Sequence, residues 1–283
     1  MNDATKKNLD RKSQYIDKVQ IHNDRPLFSW IDINLTELCN RSCIFCPRAD
    51  ESTYPNQHLH IAKELIEKMA NELKEIKYEG SIVFAGFGEP MLHPDILELI
   101  KYFEGIRLEI VTNGDTLNSK LVKKLIENGI DIICISMYDG PEQVEKFTKM
   151  FEEASISSEY YLLRDRWHTQ EDEYGLKLTN RAGMVTVGTQ DEVDITKPCY
   201  YPHYSMTIDW NGDVLLCVQD WNKKVKMGNI YAQSLVDVWQ SNQMKKYRKT
   251  LGHCDRSLSP CNNCNAEGTL HGFNHIKYWN EMK

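Results

Sequence analysis

From Leu27 onward the chain alternates two hydrophobic periods. Trp30-Ile31-Asp32-Ile33-Asn34-Leu35 alternates apolar and polar positions as a short strand does, and residues 58–78 then place Ile61, Leu65, Met69, Leu73 and Ile76 at helical spacing. The same grammar repeats. Strands are predicted at residues 81–85, 107–112, 130–136 and 158–163, with helices at 95–103, 119–128 and 141–151, the last with Pro141 in its first turn. Strands alternating with helices of this length imply parallel β-α-β units. In succession they predict an α/β fold, a partial (β/α)6 TIM-like barrel whose active face is the C-terminal end of the strands. A sixth strand is expected at residues 184–187, after a charged and aromatic stretch (164–178) that reads as a loop over that face.

The pattern changes at about Thr189. Residues 204–210 and 213–218 flank Asn211-Gly212, a strong hairpin signal because both central residues of that turn take positive φ. A helix over 234–250 and a cysteine-rich tail complete a small second module. The chain is therefore divided into an N-terminal arm (1–27), read as mobile or as a single helical turn packed outside, a barrel (28–188) and the second module (189–283).

Composition narrows the class. In 283 residues the net charge is −7, which gives no electrostatic footprint for nucleic acid or an anionic membrane. No stretch approaches a membrane span and the first twenty residues contain no apolar signal core, so the expected location is cytoplasmic. In that reducing compartment nine cysteines read as ligands or reactive thiols before they read as disulfides.

Three of them follow the first strand as Cys39-x-x-x-Cys43-x-Phe45-Cys46, and Gly86-Phe87-Gly88-Glu89-Pro90 follows the second. Three thiolates so spaced can hold a cluster while leaving part of it unligated. The combination resembles the radical S-adenosylmethionine (SAM) superfamily over residues 28–188. That resemblance implies a four-iron, four-sulfur cluster on Cys39, Cys43 and Cys46, with SAM chelating the fourth iron and yielding a 5′-deoxyadenosyl radical on reduction by a flavodoxin- or ferredoxin-type partner. It further implies that Phe45 lies against adenine and that Gly88, Glu89 and Pro90 form the SAM loop. The usual Gly-Gly-Glu-Pro is interrupted here by Phe87, which makes Gly88 and Glu89 firmer assignments than Gly86. Asn113, Ser136 and Arg164, at or just beyond strand ends, are candidates for the ribose and carboxylate of SAM, or else ordinary turn residues.

In the second module Cys199, Cys217, Cys261 and Cys264 suit a closed four-thiolate site, and on spacing alone zinc and iron–sulfur are both tenable. The arrangement resembles the Twitch form of the SPASM auxiliary-cluster domain, which implies a second four-iron, four-sulfur cluster. Cys134 reads as a core thiol. Cys254 is open between hydrogen donor to a substrate radical, substitute ligand and bystander. Arg181 matches an Arg that small-molecule Twitch dehydrogenases place against the substrate hydroxyl, its alternative being a structural ion pair. His168, His271 and His275 read as surface residues that could contact substrate.

The resemblance thus implies an oxidoreductase that abstracts hydrogen from a hydroxylated, sugar-like or aminocyclitol molecule and oxidises the alcohol carbon through the auxiliary cluster. Two alternatives use the same first step: an epimerase with Cys254 as hydrogen donor, and a maturase acting on a peptide or protein, disfavoured by the short segment before the first strand. A non-catalytic metal-stabilised binding protein leaves the open triad unexplained.

Overall fold

Period-two alternation sorts the strand side chains onto two unlike faces, and that sorting builds the interior of this protein. The computed structural model describes residues 3–167, 179–188 and 190–281, with side chains from Lys6 onward. Helix α1 (Asp3–Ile16) precedes strand β1 (Trp30–Ile33), after which come α2 (Lys63–Glu75), β2 (Ser81–Phe84), α3 (Ile96–Lys101), β3 (Arg107–Thr112), α4 (Ser119–Glu127), β4 (Ile132–Met137), α5 (Glu142–Glu153) and β5 (Tyr161–Asp165). The five strands are parallel neighbours in that order. Ile31, Ile33, Ile82, Phe84, Leu108, Ile110, Ile133 and Ile135 face the helices and are fully buried with Leu65, Ile66, Met69 and Leu73 of α2. Each such side chain contributes about 2 kcal/mol by leaving water. Trp30, Asp32, Val83, Glu109 and Ser136, from the alternate positions, turn to the barrel interior.

The sixth strand expected at residues 184–187 is not formed. Arg181, Ala182 and Gly183 are consecutively left-handed (φ 49°, 53° and 90°), and the amides of Gly183 and Val185 both return to the Asn180 carbonyl at 2.9 Å, so the chain closes a turn there. The sixth parallel strand is β6 (Ser205–Ile208), which pairs with β1 on its other edge, Trp30 opposite Ser205. The Asn211-Gly212 hairpin then leads to β7 (Asp213–Leu215) and β8 (Lys226–Asn229), giving one continuous sheet in the order β8-β7-β6-β1-β2-β3-β4-β5. The sheet crosses the boundary drawn at residue 189. The helix expected over 234–250 is two, α7 (Leu235–Trp239) and α8 (Asn242–Gly252), because Ser241 caps the second through a bond from the Met244 amide. The short α6 (Tyr201–Tyr204) precedes β6, and α9 (Phe273–Glu281) ends the described chain.

The N-terminal arm also differs from expectation. Helix α1 lies against the inner face of the sheet, where Ile16 packs with Trp30, Val83 and Tyr204 and Arg11 pairs with the fully buried Glu109. Its low apolar content hid it, since a helix that covers a polar interior needs little hydrophobic stripe. His271 and His275 are buried against it rather than exposed. The His275 Nε2 stands 3.0 Å from the Ile16 carbonyl and 2.5 Å from Ser29 Oγ, and His271 Nδ1 lies 3.3 Å from Ser13 Oγ. His168 lies outside the described residues. Among the described residues no helix is long and apolar enough to cross a membrane.

Candidate active site

Beyond β1 a buried polar network shapes the cysteine loop. Asn34 accepts the amides of Phe87 (3.0 Å) and Gly88 (3.2 Å) and donates to Glu37 (3.1 Å) and Asp209 (2.8 Å). Glu37 in turn pairs with Arg48 at 2.8 Å and with Lys223, which also holds Asp209 at 2.7 Å. Arg48 donates to the Phe87 carbonyl. Loops after β1, β2 and β7 are thereby locked to one another, each buried charge having an opposite partner. The Asn56 side chain clamps the backbone of Cys39, accepting from its amide at 2.8 Å and donating to its carbonyl at 2.9 Å.

The Gly-Phe-Gly-Glu-Pro loop is held just as closely. A Cβ on Gly88 would sit 2.1 Å from the Thr36 carbonyl oxygen, and one on Gly86 2.7 Å from Asn34 Cβ, so both glycines are required by close approach to the cysteine loop. Pro90 opens a short turn, Pro90–Leu92. The Glu89 carboxylate is turned onto its neighbours, accepting from Thr112 Oγ1 (2.6 Å) and the amides of Asn113 (2.8 Å) and Met91 (3.1 Å). Burial nevertheless pushes it up to about 7, against those three donors. The folded protein thus keeps the Glu89 proton to higher pH than the unfolded chain. Stability from this group is present at low pH and is lost as pH rises from the ordinary carboxyl value through about 7. Relative to Glu89→Gln, the native chain is expected to lose up to about 3 kcal/mol between pH 5 and 8 in urea unfolding; a pH-independent difference would show that the three donors prevail over burial.

Two adjoining cavities open at the C-terminal ends of the strands. One, of about 220 Å³, is lined by Cys39, Cys43, Cys46, Glu89 and Asn113; the other, of about 360 Å³, reaches inward to Asn8, Arg11 and Lys12 of α1. Phe45, Ser136, Tyr138, Arg164 and Arg181 line both. Arg164 donates to Ser136 at 2.6 Å, and the Tyr138 ring lies 5.6 Å from that of Phe45, tilted by 33°. A larger hollow, between Tyr15, Lys101 and Asn128, opens at the opposite end of the strands and contains no cysteine.

The thiols fall into two groups. Burial pushes Cys43 up to about 12, with the charges of Cys46 and Cys39 adding to it, and raises Cys39 and Cys46 as well. In the second group burial raises Cys199 to about 11 and Cys261 to about 12, and Cys217, Cys261, Cys264 and Cys199 oppose one another's ionisation. Gathering thiols where burial and mutual repulsion disfavour thiolate is a cost that metal coordination offsets. Among the described residues no three His, Cys, Asp or Glu side chains converge tightly enough for a single ion, and a multi-iron cluster spans a wider set. Both groups fit iron–sulfur ligation on donor chemistry.

Arg181 connects the groups. It bonds Gln219 at 3.3 Å, and its guanidinium pulls toward thiolate both Cys46 and Cys264, although burial still raises each thiol. No ion pair to Arg181 is formed among the described residues. Cys254, by contrast, is exposed at φ 60° after α8 and lines neither cavity, and Cys134 is buried in β4. Sequence reasoning missed Asn34, Tyr138, Arg166, Lys12 and Arg256. Arg166 and Tyr138 follow strand ends and were legible by that rule; Arg256 gave no signal.

Comparison with known proteins accords with this geometry. Residues 33–156 match the radical SAM superfamily and residues 199–265 match SPASM, an iron–sulfur cluster-binding domain. The S-adenosyl-L-methionine-dependent 2-deoxy-scyllo-inosamine dehydrogenase of Niallia circulans is 28% identical over 246 residues, 84% of this chain and 93% of that protein. The crystal structure of BtrN in complex with AdoMet and 2-DOIA superposes with a TM-score of 0.72 at 27% identity, covering 88% of this chain and 98% of that one. AdoMet-bound anSMEcpe, at 15% identity and TM-score 0.53, shares the fold over 89% of this chain and 95% of its own. The chain therefore carries a radical SAM domain over residues 33–156, followed by a SPASM-type iron–sulfur cluster-binding domain over residues 199–265.

Proposed function

We propose that this protein is a radical SAM dehydrogenase that oxidises an alcohol carbon of a hydroxylated, sugar-like small molecule, as the name of its Niallia circulans relative describes for an aminocyclitol. The observation that carries the reading is the position of Arg181, on the wall common to both cavities and between the two thiol groups. Cys39, Cys43 and Cys46 would hold one cluster and Cys199, Cys217, Cys261 and Cys264 the other. Bound SAM and its cluster supply a radical able to take hydrogen from unactivated carbon, and the second cluster supplies an electron acceptor.

The chain's own residues do the rest. Gly86 and Gly88, which let their loop seat against the cysteine loop, would leave its backbone to meet the methionine end of SAM, Phe45 and Tyr138 would wall the adenine side, and Ser136 would orient Arg164 toward the SAM carboxylate. Asn113, fixed by Glu89 and by its 2.7 Å bond to Asn40, would border the ribose. Arg181 would hold the substrate oxygen, its permanent charge favouring the alkoxide once the hydroxyl proton has left to solvent, beside the thiols that would hold the second cluster. A flavodoxin- or ferredoxin-type protein would deliver the electron. The epimerase alternative needs a hydrogen donor facing substrate, and exposed Cys254 lines neither cavity.

Reconstituted protein, reductant, SAM and candidate polyols should yield 5′-deoxyadenosine together with a product two hydrogens lighter. Deuterium gain from solvent without mass loss would sink the dehydrogenase reading in favour of epimerisation.

A further inference from the structure

The inner cavity carries more positive charge than its own carboxylates balance. Arg11, Lys12, Arg164, Arg166 and Arg181 line it, and Asp32 is the one carboxylate among the described lining residues. Behind the wall Glu109 is shared, since Arg107 bonds it at 3.2 Å while Arg11 pairs with it from α1. Even if Arg164 serves the SAM carboxylate and Arg181 the substrate hydroxyl, Arg11, Lys12, Arg107 and Arg166 face two carboxylates. No ion pair to Lys12 or Arg166 is formed among the described residues. The Nε atoms of Arg11 and Arg164 are buried without a hydrogen-bond partner there.

These groups disturb one another. Burial lowers Arg166 to about 10, with Arg164 and Arg181 adding to the shift and Tyr138 opposing it. Burial lowers Lys12 to about 8, Asp32 pulling against it and Arg11 and Arg164 adding to it. Such crowding is relieved by an anion. The arrangement is also built, since α1 is clasped by α9 through His275 and by the Asn274 side chain, which donates to the Asp17 carbonyl at 2.9 Å.

We propose that the substrate bears an oxyanion group, a phosphate or a carboxylate, received in this cavity by Lys12 of α1 and Arg166 beyond β5. This rests on the dehydrogenase reading for where the hydroxyl lies, and it adds the charge of the molecule. A guanidinium and an ammonium lining one cavity from two elements suit a group with several acceptor oxygens, and Arg166 offers the paired donors that carboxylate and phosphate accept. Helix α1 is then a wall of the substrate site.

The test is equilibrium binding to the cluster-loaded protein with SAM, under anaerobic conditions, using inorganic phosphate, glucose 6-phosphate, glucuronate and glucose as probes in calorimetry. Inorganic phosphate should bind, and one anionic sugar should bind roughly tenfold more tightly than glucose; the phosphate and glucuronate arms distinguish the two groups. Lys12→Ala and Arg166→Gln should each weaken phosphate roughly tenfold, Arg166→Lys should restore part of the loss, and Lys146→Ala, on the exposed side of α5, should change nothing. Affinity should fall as salt rises. Absence of binding of inorganic phosphate and of both anionic sugars by the native protein, or equal affinity of native protein, Lys12→Ala and Arg166→Gln for the anion that binds, would overturn the proposal. Melting curves of each variant separate lost binding from lost folding, and a variant that does not fold is replaced by the salt series on native protein. The dehydrogenase reading is judged separately, by 5′-deoxyadenosine and the two-hydrogen mass loss.

Discussion

A Cys43→Ala variant is expected to release no 5′-deoxyadenosine while retaining the iron–sulfur absorption of its second cluster. Cys43 is the thiol most opposed to ionisation in its group, pushed to about 12 by burial and by its two neighbours. Only coordination makes thiolate favourable there, and two remaining thiols cannot hold a cluster that already leaves one iron to SAM. Cleavage should fall by about a thousandfold or more, and iron content by about half. The second group should be unaffected because its thiols are raised chiefly by burial, and Cys199, Cys217 and Cys261 also by cysteines of their own group, with none of Cys39, Cys43 and Cys46 among the main causes. Iron analysis and chromatographic detection of 5′-deoxyadenosine check both parts. Retained cleavage would show that Cys43 is not a ligand.

Much of this site was legible because it lies where local sequence rules act. Strand ends carry Asn113, Ser136 and Arg164, and period-two alternation places Ser136 and Arg164 on the inner face, where they meet at 2.6 Å. Glycines at close approach announce themselves, and Gly88 is one atom from collision with the cysteine loop. Other parts depend on partners far away in sequence. Helix α1 needs the inner face of the sheet before its polarity makes sense, and β6 needs the free edge of β1. A search for the sixth strand after β5 looks in the wrong place, because the left-handed turn at Arg181–Gly183 sends the chain elsewhere. That turn sets Arg181 on the wall between the thiol groups.

The continuous sheet gives the two halves a fixed relation. With β6 paired to β1 in register, Trp30 to Ser205 and Ile33 to Ile208, the hairpin that bears Cys217 is mounted on the strand that ends in the Cys39 loop. Lys223 adds a tie from the second module to Glu37 and Asp209. The separation of the two thiol groups is therefore set by backbone hydrogen bonds and buried ion pairs, with Arg181 on the wall between them.

Arg256→Ala is expected to empty the second thiol group and to lower the melting temperature, while SAM cleavage at the first group persists. Arg256 is 3% exposed, and its guanidinium donates to the carbonyls of Pro198 (2.7 Å), Ala266 (2.8 Å), Lys197 (3.0 Å), Glu267 (3.0 Å) and Cys264 (3.4 Å). Those carbonyls belong to the segments that carry Cys199 and Cys264, and the Arg256 charge favours the thiolates of Cys199, Cys264 and Cys261 against burial. One side chain thus fixes two ligand loops and partly offsets the charge they gather. Its removal leaves several buried carbonyls without donors, at about 1–3 kcal/mol each before water enters. A net loss of about 3 kcal/mol would lower the melting temperature by about 6–12 °C in a chain of this size. Arg256→Lys keeps the charge but not the fork of donors, so it should retain part of the stability and bind the second cluster weakly. Electron paramagnetic resonance of the reduced protein, with iron counted, separates the groups. A full second-cluster signal in Arg256→Ala would show that the loops hold their ligands without it.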